Sequence, residues 1–472
     1  MLPQPKHKYD IWPCVVLADA STKMTITPVS RAFLLFEGHE YTVRIIPVNS
    51  DVPVMREPQN QTVLTVVAQG GVLRFSHTFE GEQEYTVILE DGDTVKQEMA
   101  LYSLREDLYA LRPLKGDLHA HSYRSDGSPD PAELAGHYRE QGYDFFALTD
   151  HNRYYPGDEI DEVYRGVRMG LCHVLGEEVH TPDSDVHIVH VGGKSSVCKR
   201  YCDDVEGYRR EVDACEARVP ADVPAQYRRR YAMAMWASEN IHAAGGLAIF
   251  AHPYWRPGYS HTYNVCDELS EIFLKSGMFD AYELVGGMGQ PGVNVSIALW
   301  GDLRAEGLSI PVVGSSDVHS VSSSLNFPGH FTVCFAKKNE NDAIIEAIRT
   351  GMSVAVEGTG DEYARHYRCY GTRRLVSYAQ FLLQYYFPRL QRICQGEGVA
   401  MRAYAMGECD AHLIEVQAEN TAFFVDRFFG RRGAVLPSAE ILAFEDRARE
   451  IHLQSPHTKG SSILYALHNR QI

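Results

Sequence analysis

Residues 117–122 read DLHAHS, and five strings of similar character follow: YRSDGS at 123–128, LTDHN at 148–152, GEEVHTPDSDVHIVHVGG at 176–193, FAHPYW at 250–255 and SSDVHS at 315–320. Each lies where a strand-like apolar run gives way to a polar loop, which is where a barrel gathers functional side chains at its strand ends. Between these strings the chain alternates. Pro131 to Gln141 reads as a helix, and Phe145 to Leu148 as a buried strand that delivers Asp150 and His151. Tyr231 to Ala244 reads as a helix closed by Gly245-Gly246, and Leu247 to Phe250 as the strand before His252. A helix from Val295 to Glu306 and a strand from Ile310 to Val313 lead to Asp317 and His319. Strands that each end in such a string predict an α/β barrel with one functional mouth.

The candidate ligands are His119, His121, Asp126, His151, Glu178, His187, His252, Asp317 and His319. Imidazole nitrogen mixed with carboxylate oxygen suits Zn²⁺, Mn²⁺ or Fe²⁺, whereas all-oxygen sets favour Mg²⁺ or Ca²⁺. No cysteine lies inside these strings, which argues against a closed zinc finger. His119 and His121 are separated by one residue, so on an extended segment both side chains leave the same face and can chelate one ion. His190 stands three residues after His187 and therefore faces the other side of the same strand; it and His180 are expected to be spectators.

The flanks read differently. Up to about Arg112 the sequence is β-rich: Tyr41, Val43 and Ile45 alternate with Thr42, Arg44 and Ile46, Tyr85, Val87 and Leu89 repeat the period of two, and Asp91-Gly92 marks a hairpin. A β-sandwich-like domain at 1–112 is expected, with a packing or oligomer role. The barrel occupies 113–358, interrupted at 195–230 by a charged stretch that reads as an insertion near the mouth, either a lid or a solvated excursion. From 359 to 472 the expectation is a partly helical extension, in which Pro388 ends or kinks the helix carrying Leu375, Tyr378, Ala379, Leu382 and Tyr386.

The chain is long enough for several modules at 472 residues, and its formal charge of −17 opposes general binding to a phosphate backbone. Nucleic acid is thus disfavoured as a partner, and a small-molecule substrate favoured. The ten cysteines follow no repeating spacing, so no disulfide framework is expected. No apolar run is long enough for a bilayer, and the start MLPQPKHKYDIWP lacks a signal-peptide pattern. A cytoplasmic protein, with a homo-oligomer left open, is the expectation.

Taken together and in this order, the strings resemble those of the polymerase and histidinol phosphatase (PHP) superfamily, over Lys115 to Gly358, roughly half the chain. The resemblance implies a distorted (β/α)7 barrel that holds two or three divalent ions. It implies His119, His121 and Asp317 at a first ion, Asp126, His151 and His252 at a second, Glu178 as the bridge, and His187 with His319 completing a third position. The family writes the bridge as Gly-x-Glu, here Gly176-Glu177-Glu178, which selects Glu178 over Glu177.

Three functions follow from the resemblance. The first is hydrolysis of a small phosphoester by a metal-activated hydroxide, with Glu178 and His319 at the chemistry and Asp150 orienting an imidazole. Arg124, Asn152, Arg153, Arg256 and His330 are then the candidates for gripping the substrate. The second uses the same cluster on a carboxylic ester, amide or carbamate, since YELVGG at 282–287 and VVGSSDVHS at 312–320 resemble the carbaryl-hydrolase-like branch of the superfamily. The third is a non-catalytic scaffold stabilised by metal.

Overall fold

The computed structural model describes residues 7–50, 60–258, 260–360 and 365–454. By its contacts the chain divides into two compact units, 1–106 with 425–472, and 107–424.

The first unit is built from strands β1 (Tyr9–Trp12), β2 (Val15–Leu17), β3 (Ser21–Pro28), β4 (Glu40–Pro47), β5 (Thr62–Val67), β6 (Leu73–Thr78), β7 (Gln83–Asp91) and β8 (Thr94–Leu104). They form one sheet in the order β1-β3-β6 and another in the order β2-β8-β7-β4-β5. Tyr41, Val43, Ile45, Val87 and Leu89 pack with Ile11, Met24 and Ile26 of the other sheet in a single core, as the period of two requires. The β7–β8 hairpin turns at Gly92, whose φ of 58° is left-handed.

The second unit holds strands β9 (Arg112–Asp117), β10 (Phe145–Leu148), β11 (Cys172–His180), β12 (His187–Val191), β13 (Leu247–Phe250), β14 (Ala281–Val285), β15 (Val312–Gly314), β16 (Phe331–Ala336), β17 (Ser353–Thr359) and β18 (His366–Tyr370). They form one sheet in the order β15-β14-β13-β12-β11-β10-β9-β16-β17-β18. The pairing is mixed. β9, β10 and β11 are parallel, as are β13, β14 and β15, but β12 is antiparallel to both its neighbours. The sheet curls until its start nearly meets its end. Side chains close the gap: Thr332 Oγ1 donates to the Gly314 carbonyl at 2.8 Å, and Ser353 Oγ donates to the Val312 carbonyl at 2.9 Å. Gly314 is needed for this approach, because a Cβ there would stand 2.5 Å from the Phe331 carbonyl oxygen.

Interior side chains from Leu114, Phe145, Val174, Val189, Leu247, Ala281 and Val313 meet in one core with Ile344, Ile345 and Ile348 of helix Asn341–Arg349. The antiparallel direction of β12 places Gly192, near its end, against Ile345, so His187 at its start lies at the opposite mouth.

Helix Pro131–Glu140 is capped by Asp130, which accepts from the Ala132 and Glu133 amides. Segment 195–230 is more ordered than a solvated excursion: it forms helices Cys198–Asp203 and Val205–Glu216 and buries Tyr201, Tyr208, Val212 and Cys215 in the core that also holds Trp236. As expected, helix Arg373–Tyr385 breaks at Tyr386, within one turn before Pro388. Pro388 sits in the opening turn of helix Phe387–Ala405, where its missing N–H costs nothing.

The expected single extension at 359–472 is divided instead. Its helices up to 424 pack within the barrel unit, where Glu397 accepts from buried Arg139 Nε at 2.7 Å and from the Gly170 amide at 2.5 Å. Beyond 424, Phe428 accepts from the Cys14 amide at 2.9 Å and Arg427 lies 3.8 Å over the Trp12 ring, within the first unit. No disulfide joins the ten cysteines, and among the described residues no helix is long and apolar enough to cross a membrane.

The Arg139–Glu397 pair yields a prediction. Both side chains are buried, so Glu397→Ala takes the closer countercharge from the guanidinium, leaving it Asp144 Oδ1 at 3.6 Å, and should cost about 3 kcal/mol. Urea unfolding followed by circular dichroism reads this as a lowered midpoint. A change below about 1 kcal/mol, typical of exposed ion pairs, would refute the structural role.

Candidate metal centre

The site is organised around Glu178, whose side chain is 1% exposed. Its Oε2 lies 3.3 Å from His119 Nε2, 3.3 Å from His121 Nε2 and 3.1 Å from His151 Nδ1. Its Oε1 lies 2.6 Å from His187 Nδ1 and 3.1 Å from His252 Nε2. Asp317 Oδ1 faces the same space, 3.4 Å from His119 Nε2 and 3.0 Å from His121 Nε2.

Local backbone logic explains the convergence. After β9 the chain stays extended: His121 N–H donates to the Val318 carbonyl at 2.9 Å, and Asp317 N–H to the His119 carbonyl at 3.0 Å. His119 and His121 thus share a face, beside Asp317. Buried Asp117 anchors both segments, accepting from the His119 and Ser316 amides at 3.1 Å and from the Tyr138 hydroxyl at 2.8 Å. On β11, successive residues alternate faces, so Glu178 points to the centre while Glu177 points away and lies 2.9 Å from His190 Nδ1. Asn152, His252 and Asp317 hold φ values of 54°, 25° and 51°, a left-handed backbone that non-glycine residues keep only when their surroundings impose it.

All nine candidate ligands fall into overlapping groups whose donor atoms lie within 4.8 Å of one another. His119, His121 and Asp317 form one such group. The expected second set of Asp126, His151 and His252 is regrouped, however. Asp126 joins His121, His151 and His319; His252 joins His119 and Glu178; and His187 joins His151 and Glu178. The loop of Asp126 reaches toward His319, 3.2 Å away, whereas His252 stands across the Glu178 carboxylate.

These donors fit a divalent ion. His119 Nε2, His121 Nε2, His151 Nδ1 and Asp317 Oδ1 are buried and make no hydrogen bond, yet each belongs to a residue in one of these converging groups, with His119, His121 and Asp317 in the same one. Such orphaned donors are rare unless something else satisfies them. An all-nitrogen-and-oxygen set suits Zn²⁺, Mn²⁺ or Fe²⁺.

The residue that sequence reading missed is Glu283. It is buried on β14, and its Oε2 lies 2.8 Å from His119 Nδ1, orienting that ring so that Nε2 faces the centre. Its signal was a carboxylate amid the apolar strand AYELV. Asp150 does not take that role for any imidazole. It accepts from the Ser122 amide at 2.9 Å and from the Ser122 and Ser125 hydroxyls at 2.7 and 2.5 Å, fixing the loop that follows His121.

Beside Asp126 and His151 opens a cleft of about 820 Å³, lined also by Arg124, Asn152, Arg153, Tyr155, Ser196, Lys199 and Cys202. Two expected substrate contacts are not among its lining residues. Arg256 stacks 4.6 Å from the Tyr263 ring centre. His330 is buried, and burial holds its pKa down at about 4, so it carries no charge at neutral pH with which to grip an anion.

No family model matches the chain. Sequence relatives include the DNA polymerase/3'-5' exonuclease PolX of Bacillus subtilis, 43% identical over 58 residues, which make up 12% of this chain and only 10% of the polymerase. They also include the 5'-3' exoribonuclease of Haemophilus influenzae, 27% identical across 29% of this chain and 69% of that one. A solved two-domain protein from Bacteroides vulgatus, described as containing a PHP-like metal-dependent phosphoesterase, is similar at 19% identity with a TM-score of 0.38. The likeness covers 52% of this chain and 65% of that protein.

Two predictions concern the centre. Glu178→Gln removes the charge that faces five imidazoles and should abolish most metal content, measured by inductively coupled plasma mass spectrometry. Glu177→Gln, on the outer face, should retain it; the reverse pattern would exchange their roles. The second prediction is pH-dependent. Burial pulls the metal-free pKa values of His119 and His319 down, but neighbouring carboxylates outweigh it, raising His119 well above its ordinary value and His319 to about 9. Metal must displace those protons, so affinity should fall as pH drops from 9 to 6, and uptake should release protons. Titration calorimetry in buffers of different ionisation enthalpy measures the release, and a buffer-independent heat at pH 7 would contradict the assignment.

Proposed function

We propose that the chain is a PHP-type metal-dependent hydrolase that cleaves a phosphoester of a small molecule. The observation that carries this reading is charge. In a chain of formal charge −17, the cleft beside the buried His/Asp/Glu cluster is rimmed by Arg124, Arg153 and Lys199. Arg124 is bound to Glu159 at 3.0 Å and Lys199 to Asp203 at 2.9 Å. Arg153 instead contacts Tyr155, with its Nη1 3.2 Å from the phenol oxygen, and has no carboxylate partner among the described residues. Its planar fork is suited to the non-bridging oxygens of a phosphate.

We read β9 to β15 as the seven strands of a distorted (β/α)7 barrel, with β16 to β18 closing it. The nine clustered side chains would hold two or three divalent ions, zinc, manganese or iron, which when bound lower the pKa of a water toward neutrality and offset charge on substrate oxygens. Around that chemistry the chain positions and steadies. Glu283 fixes the His119 ring, and Arg153 and Asn152 face the substrate space.

The test is a panel of phosphomonoesters, phosphodiesters, carboxylic esters and carbamates offered to manganese-, zinc- and iron-loaded protein. Arg153→Ala should raise KM for the preferred phosphoester roughly tenfold or more, as expected for losing a hydrogen bond between charged groups. Arg256→Ala should leave it near wild type. A carboxylic ester or carbamate turned over faster, and indifferent to Arg153, would favour the second reading. Tight metal binding with no turnover of any class would leave the scaffold.

A further inference from the structure

Glu177 and Glu178 are neighbours on β11 with opposite surroundings, and the outward one has work of its own. Its Oε2 accepts from Ser196 Oγ at 2.6 Å, and its Oε1 accepts from the Val197 amide at 2.6 Å while facing His190. Glu177 thereby ties down the start of helix Cys198–Asp203, the helix that carries Tyr201. The Tyr201 ring is buried, packed against Tyr208 and Trp236 with centroids 5.9 and 6.2 Å away. Its hydroxyl donates to the side-chain oxygen of Asn152 and also lies against the Cys198 thiol on its own helix.

Asn152 follows His151 directly and lines the cleft. Its left-handed backbone is held by its own N–H, which donates to the Glu178 carbonyl at 3.2 Å. A carboxamide whose oxygen is taken by a phenol has its NH₂ end left for other partners. We propose that Tyr201 is a positioning residue: by engaging the Asn152 oxygen it orients the Asn152 amide toward the cleft, where that amide donates to an oxygen of the group being hydrolysed. Asn152 is then the substrate contact and Tyr201 acts through it. One strand references both halves of the site, with Glu178 gathering the imidazoles on its inner face and Glu177 holding Tyr201's helix on its outer face. Segment 195–230, an interruption of the barrel pattern in sequence, supplies both Tyr201 and the Ser196 that Glu177 holds.

The inference rests on the hydrolase reading above, and a double-mutant cycle separates the two. Tyr201→Phe, Asn152→Ala and the double variant are compared with wild type as metal-loaded proteins. Three quantities are measured: metal content, the dissociation constant of inorganic phosphate, and kcat/KM on the best ester of the panel. Tyr201→Phe keeps the ring and its packing, so metal content should not change. Each single variant should weaken phosphate binding and lower kcat/KM by about tenfold, the scale of one oriented hydrogen-bond donor. The double variant should be no worse than Asn152→Ala, because the phenol has nothing left to orient. An undiminished loss from Tyr201→Phe in the Asn152→Ala background, or no loss in wild type, overturns the proposal. If wild type neither binds phosphate nor cleaves phosphoesters but hydrolyses a carboxylic ester, the phosphoesterase reading falls, and the same cycle on that ester still decides the role of Tyr201.

Discussion

A single buried carboxylate dictates most of the barrel mouth. Glu178 is removed from water, and an ionised carboxylate there costs several kcal/mol unless charge or polarity answers it. The answer comes from five imidazoles delivered by four strand ends, His119 and His121 sharing one of them. The demand is mutual. It explains why Glu283 is buried and Asp317 largely so beside the same rings, and why the centre holds protons that an ion would displace.

Meeting that demand requires backbone that no local preference supplies. Left-handed φ at Asn152, His252 and Asp317 carries a cost of about 1–3 kcal/mol at each position, and the surrounding hydrogen bonds hold it. Asp117 clamps the segments of His119 and Asp317 together, and the side-chain closure between β15 and its neighbours across the gap keeps the mouth from opening. The reversal of β12 has a functional consequence: it lets His187 reach the mouth from the start of a strand, whereas the parallel strands deliver theirs close to or after their C-terminal ends. A regular β/α alternation would have put that histidine at the other end of the barrel.

Charge is distributed unevenly for a reason consistent with this chemistry. On the proposed reading, the net charge of −17 would discourage long polyanions at a distance, while the few cations beside the cluster would favour a compact anion at short range, where screening is weak. Arg124 and Lys199 spend much of their charge on Glu159 and Asp203, which leaves Arg153 as the cation best able to meet an incoming group.

Much of this was legible in the chain. Alternation placed the strands Phe145–Leu148 and Leu247–Phe250, since a short apolar run between turn residues has few other solutions. The HxH spacing put two imidazoles on one face, and the parity of β12 separated His187 from His190, because side chains in a strand alternate whatever surrounds them; the Gly-x-Glu pattern of the resemblance is what selects Glu178 over Glu177. What parity could not provide was distance between strands. The regrouping of Asp126 with His319, the capture of His119 by Glu283, the exclusion of Arg256 and His330 from the cleft, and the alliance of Glu177 with Ser196 all join residues far apart in sequence. The division of the C-terminal stretch near 425 is of the same kind, since a helix's own periodicity does not say which core its apolar face will join. Local sequence determined which residue types stand at each strand end and which way they point; only the closed sheet and its packed helices decided which of them share a site, because convergence is set by the summed geometry of the fold.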